Sequence, residues 1–149
     1  MKKSTAPGRS TTADLTPEQL MHALFEAAHD LRTRLEEALQ AAGLSSAKYM
    51  ALQQLAKHGE PITLRELAAG QKCAASNITQ LVDRLESDGL VRRVDDATDR
   101  RSVRAELTPL GRRQQAVGAR AVANVQADFA RSLSALDRKA LARGLAAGR

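Results

Sequence analysis

A mainly α-helical fold carrying one short β-hairpin is predicted by three features of this 149-residue sequence. Hydrophobic residues make up 43% of the chain but aromatics only 2%, and Ala and Leu abound, which favours helices packed through small and branched side chains over a sheet-rich core. Helix-capping signals recur along the chain from residue 16 onward. Residues 90–107, in contrast, alternate and turn in the manner of two paired strands. At this length the chain fits one compact domain, its core completed alone or across a dimer.

Residues 1–14 contain lysines but no apolar stretch, so they are predicted to be a disordered basic tail and neither a signal peptide nor an anchor. Thr16-Pro17-Glu18-Gln19 combines a hydroxyl cap, a proline at the first helical position and a capping-box glutamine. Leu20, Leu24, Ala28, Leu31, Leu35 and Leu39 then recur at helical spacing until Gly43. The first helix, Pro17 to Ala42, would be roughly 39 Å long at the usual rise per residue. That exceeds what one small domain covers, and a second copy of the chain is the simplest partner for its apolar stripe.

Ser45 or Ser46 caps a second helix, with Tyr49, Leu52, Leu55 and Ala56 facing inward and Gly59 closing it. Thr63-Leu64-Arg65-Glu66 is a capping box, flanked by Ile62 and Leu67 as a hydrophobic staple, and about two turns follow before Gly70. The fourth helix runs from about Ala75 to Asp88 with Ile78, Leu81, Val82 and Leu85 as its buried stripe and Gly89 as its stop. A short helix, a tight turn and a longer helix form the helix-turn-helix pattern. Leu90 to Val94 reads as a strand, Asp95 to Arg101 as a tip, and Ser102 to Leu107 as the returning strand, with Val103, Ala105 and Leu107 on one face and Ser102, Arg104 and Glu106 on the other. A hairpin placed directly after a helix-turn-helix is a wing.

Thr108-Pro109 repeats the cap-and-proline device, and Leu110, Gln114, Val117, Ala121, Val125 and Phe129 carry a fifth helix. Ser134 with Asp137 starts a sixth that contains Leu141 and Leu145. The expected organisation is a tail over 1–14, a dimerisation helix over 15–44, a winged helix-turn-helix over 45–107 and C-terminal dimerisation helices over 108–149. Together these make six helices and a two-stranded wing in one intertwined domain per protomer.

The net charge of +6 suits a polyanionic partner, but the excess is C-terminal. Residues 1–44 carry 5 basic and 6 acidic side chains, 45–107 carry 10 and 9, and 108–149 carry 8 and 2. A nucleic-acid surface in the middle must therefore arise from where charges sit. The single Cys73 excludes an internal disulfide or a multi-cysteine zinc site and fits a reducing cytoplasm. No apolar run is long enough to span a membrane. A phosphate loop, nucleophile elbow or paired-carboxylate motif is missing, so an enzyme is not expected, and no metal or cofactor is implied.

On the fourth helix, Ser76, Asn77, Gln80 and Arg84 lie opposite the apolar stripe, with Thr79 and Asp83 on the margin. Asn and Gln can bond an adenine edge with two hydrogen bonds, and Arg can bond guanine or phosphate. Any solvated helix also shows a polar face, and it is the flanking helix-turn-helix and wing that favour DNA. In the hairpin, Arg92, Arg93, Arg100, Arg101 and Arg104 are interrupted by Asp95, Asp96 and Asp99, acids placed to orient particular arginines rather than to leave a uniform basic pad.

Residues 44–110, including "LVDRLESDGLVRR" and "DRRSVRAELTPLG", resemble the winged helix-turn-helix of the multiple antibiotic resistance regulator (MarR) family, and the flanks extend the likeness over about 15–147. The resemblance implies a homodimeric transcription factor, usually a repressor, that binds a pseudo-palindromic double-stranded DNA operator. It also implies release by a small phenolic or lipophilic effector or by cysteine oxidation. It makes Arg101 the minor-groove arginine, Asp99 its orienter and Arg100 a neighbouring contact. The effector pocket it implies draws in His22, His29 and Tyr49, each of which also reads as an ordinary surface or half-buried side chain. Ala74 departs from the pattern, since a hydroxyl cap often precedes the recognition helix.

Cys73 falls at an apolar turn position and reads as a small buried residue. Its place beside Lys72 and before a helix start also makes it a candidate redox group. A redox-switched regulator and a nonspecific architectural DNA-binding protein are therefore the alternatives, the latter predicting salt-steep affinity indifferent to sequence.

Overall fold

The computed structural model describes residues 16–72, 74–96, 102–133 and 138–147, in two compact units that divide after Thr33. The element order is α1 (Pro17–Ala41), α2 (Ser46–His58), β1 (Ile62–Thr63), α3 (Leu64–Gln71), α4 (Ala75–Ser87), β2 (Val91–Asp95), β3 (Val103–Leu107), α5 (Pro109–Ser132) and α6 (Arg138–Ala147). The fold is the mainly helical winged helix-turn-helix expected. The tail over 1–14, Cys73, the wing-tip residues Asp99, Arg100 and Arg101, and the Ser134 and Asp137 start of the last helix lie outside the described residues.

In the first unit α1 begins as its capping box requires. The Thr16 amide donates to Gln19 Oε1 at 2.9 Å, and the Gln19 amide donates to Thr16 Oγ1 at 3.3 Å. Leu20, Met21, Leu24 and Phe25 are all exposed there, Phe25 at 68%.

In the second unit one core gathers Leu39, Leu44, Leu52, Leu55, Leu67, Ile78, Val82, Leu85 and Val91. The inward face of α2 is as expected, with Tyr49, Leu52 and Leu55 buried and Ala56 packed against them. Ser45 is its cap, accepting from the Lys48 amide at 3.3 Å. The α5 helix seats on α2 through Gly118, where a β-carbon would lie 2.7 Å from Tyr49 Cδ2 and 2.9 Å from Leu44 Cδ1.

Three local expectations are corrected. The wing is present as β2 and β3, but a third strand joins it: Ile62, expected only as a staple, pairs with Ala105 in a sheet of order β1-β3-β2, all antiparallel. The first wing strand starts at Val91, not Leu90, because Leu90 still belongs to the chain reversal after Gly89, whose φ is +70°. Gly70 does not end α3, which continues to Gln71 and stops at Lys72 in the left-handed region (φ 50°). On α5, Leu110 and Val117 are exposed while Gly111, Gly118 and Val125 are buried. Gly111 and Gly118, seven apart, let the helix approach its neighbours closely.

Candidate nucleic-acid interface

The α4 helix presents its polar face because its apolar face is fully used. Ile78, Val82 and Leu85 are at most 1% exposed, and burying each contributes about 1.5–3 kcal/mol, which fixes the rotation of the helix about its axis. Ser76, Asn77, Thr79, Gln80 and Arg84 are consequently all exposed on the remaining surface. Asn77, Gln80 and Arg84 follow at spacings of three and four, so they share one face. The Thr79 hydroxyl donates to the Ala75 carbonyl at 3.1 Å, which leaves its lone pairs and methyl for an outside partner. Ala74 is the N-cap, with extended backbone and no side-chain capping bond.

An ionic clamp that sequence reading misses sets where this helix lies relative to the wing. Arg93, midway along β2, donates through Nη2 to Asp83 Oδ1 and through Nη1 to Glu86 Oε2, both at 2.5 Å. The Arg93 amide also donates to Glu86 Oε1 at 3.2 Å. These bonds, led by that to Asp83, raise the guanidinium's pKa above its ordinary value, so its charge is permanent. Asp83, which the sequence places at the margin of the DNA-facing set, is thus tied inward. The available signal is a pair of acids three apart on α4 followed, after one glycine turn, by an arginine.

The other described wing arginines are similarly bound. Arg92 pairs with Glu106, its register partner across β2 and β3. Arg104 donates from Nε to Asp96 Oδ2 at 2.8 Å and from Nη1 to the Pro61 carbonyl at 3.0 Å. Lys48 of α2 pairs with Asp88, which caps the C-terminus of α4. At the start of α3 the capping box is complete, with Glu66 Oε2 accepting from the Thr63 amide at 2.8 Å. Hydrogen bonds from the Thr63 backbone and hydroxyl hold the Glu66 carboxyl below the usual carboxylate pKa.

The residues expected around an effector are placed differently from one another. Tyr49 is a core residue, 6% exposed, whose hydroxyl accepts from Gln53 Nε2 at 3.3 Å. His22 is exposed on α1, 4.0 Å from Glu26, and His29 Nδ1 lies 3.4 Å from Arg32 Nη2. His29 borders an opening of about 370 Å³ with Phe25, Ala28 and Arg32. Among the described residues no cluster of His, Cys, Asp and Glu has the makings of a metal site, and no helix is long and apolar enough to cross a membrane.

Comparison with known proteins agrees with this geometry. Residues 42–102 match the family model described as the MarR family. The chain is 35% identical over 83 residues to YsmB, an uncharacterized HTH-type transcriptional regulator of Bacillus subtilis (strain 168), the match covering 56% of each chain. The chain spans little more than half the length of the curated relatives it matches. Among solved structures, the transcriptional regulator BldR from Sulfolobus solfataricus superposes with a TM-score of 0.67 at 30% identity, covering 86% of this chain and 90% of that one. The M. tuberculosis transcriptional regulator MOSR, solved in complex with DNA, superposes with a TM-score of 0.64 at 28% identity, covering 85% and 90%.

Proposed function

We propose, on the match of residues 42–102 to the MarR family, that the chain is a transcriptional regulator of that family and binds a pseudo-palindromic double-stranded operator as a homodimer. In this reading α4 enters the major groove and the wing enters the flanking minor groove. The observation that carries it is the exposed row Asn77, Gln80 and Arg84 on a helix whose rotation is fixed by its core face and whose placement is fixed by Arg93. Asn77 and Gln80 supply paired donors and acceptors for adenine, and Arg84 supplies a guanidinium for guanine or phosphate. Two such helices in a dimer would stand one helical turn of DNA apart, roughly 34 Å.

The dimer is supported by apolar surface that a single chain leaves open: Leu20, Met21, Leu24 and Phe25 on α1, Leu110 and Val117 on α5, and Leu145 on α6. Burying such surface against a second copy is the ordinary remedy. Repression would follow from occupying the operator, and a small phenolic or lipophilic effector would relieve it by favouring a spacing of the two α4 helices that no longer fits successive grooves.

Fluorescence anisotropy on DNA from the region upstream of the protein's own gene, against a scrambled duplex at fixed salt, tests the reading. Specific binding should exceed nonspecific binding by ~10³-fold or more. Equal affinity for both duplexes would replace it with an architectural role. Gln80→Ala and Asn77→Ala are each expected to reduce that discrimination by ~1–3 kcal/mol, the usual worth of a two-bonded side chain on a base edge. Equal weakening on both duplexes would instead make these side chains phosphate ligands.

A further inference from the structure

Asp96 is only 6% exposed, the one buried charged side chain among the described residues, and it sits where β2 gives way to the wing tip. A carboxylate out of water must be paired or hydrogen-bonded, and Arg104 Nε meets it at 2.8 Å. The Asp96 amide donates to the Ser102 carbonyl at 3.3 Å, so both ends of the tip are fixed at this point. Arg104 occupies the central strand, in register with Val94 of β2 on one side and with Thr63 of β1 on the other. Its second bond, from Nη1 to the Pro61 carbonyl, reaches the segment that leads through β1 into the capping box of α3. One guanidinium therefore spans the sheet from the root of the wing tip to the entry of the helix-turn-helix. The planar fork does this where an ammonium would not, because its two donors are set at a fixed angle.

We propose that Arg104 is a positioning residue for DNA binding: through Asp96 and Pro61 it fixes the two described ends of the wing tip, Asp96 and Ser102, between which Arg101 lies in the sequence. The proposal rests on the reading of the wing as a minor-groove element. It gives Arg104 no contact with DNA of its own, since Nε and Nη1 are both turned to the protein. Buried ion pairs contribute little net stability compared with an apolar replacement, and the fixing of one arrangement is their better-attested use.

The test is a double-mutant cycle on the full chain, reading operator affinity by anisotropy for Arg104→Met, Arg101→Ala and the double variant, with thermal melting alongside. Arg104→Met is expected to weaken operator binding about tenfold alone and to add less than about twofold once Arg101 is gone, as residues acting through one another do. A full tenfold loss in both backgrounds, or no loss in either, overturns the proposal while leaving the wing reading intact. No loss from Arg101→Ala itself overturns the wing reading, and the proposal falls with it. Arg104→Lys keeps charge and stem, and should fold even where Arg104→Met does not. In the same cycle it is expected to recover only part of the affinity, and full recovery would show that charge rather than the two-way fork matters.

Discussion

Arg101→Ala is expected to weaken operator binding roughly a hundredfold or more, as two wings each giving up about 1–3 kcal/mol would require, with melting temperature and dimer mass unchanged. The engagement of the described wing arginines within the protein is consistent with so large an effect at Arg101. Arg92, Arg93 and Arg104 are each engaged with carboxylates of the protein itself, Glu106, Asp83 with Glu86, and Asp96 respectively. The proposed reading accordingly gives the minor-groove contact to Arg101, as the resemblance to the MarR family implies. A guanidinium entering a narrow minor groove meets focused negative potential and sheds its weakly held water at small cost. Replacing A·T pairs by G·C pairs at the wing position of the operator should weaken the native protein and leave Arg101→Ala almost unaffected. If both proteins respond alike, the wing does not read the minor groove.

What the sequence discloses is local, and what it conceals is pairing at a distance. The capping boxes at Thr16 and Thr63 and the cap at Thr108 are each complete within four residues, and all three are legible from residue order alone. So is the polar face of α4, which follows from the positions of Ile78, Val82 and Leu85. The strand at Ile62–Thr63 is not, since two residues have no periodicity and it exists only because β3 lies beside it. Nor is the ending of α3 at Lys72, where Gly70 looks the better stop. Acids among the wing arginines read as orienters, but which acid serves which arginine depends on register. Asp96 reaches Arg104 across the hairpin, and Arg93 turns back to α4.

Gly111→Ala is expected to destabilise the protein by about 3 kcal/mol, the upper end of the usual overpacking penalty, and to lower the melting temperature by roughly 6–12 °C at fixed protein concentration. Gly111 is the third residue of α5, buried where that helix starts against the root of the wing. Its amide donates to Thr108 Oγ1 at 3.0 Å, and the Thr108 hydroxyl donates to the Gly89 carbonyl at 2.7 Å. The Thr108 amide donates in turn to the Leu90 carbonyl at 3.1 Å. A β-carbon at Gly111 would run into that same Leu90 carbonyl oxygen and lie 3.2 Å from Leu107 Cδ2. Backbone cannot swing aside as a side chain does, so relief requires lifting α5 or turning the carbonyl away from Thr108. Gly144 supplies the control, for it sits inside α6 with nothing within 4 Å of an added β-carbon. Gly144→Ala should therefore be neutral or stabilising by up to ~1 kcal/mol, the intrinsic helix preference of alanine. That same preference acts at both positions, so melting shifts of opposite sign assign the Gly111 effect to its contact with Leu90. Shifts of the same sign would mean that α5 does not rest on the wing root as closely as the Leu90 carbonyl requires.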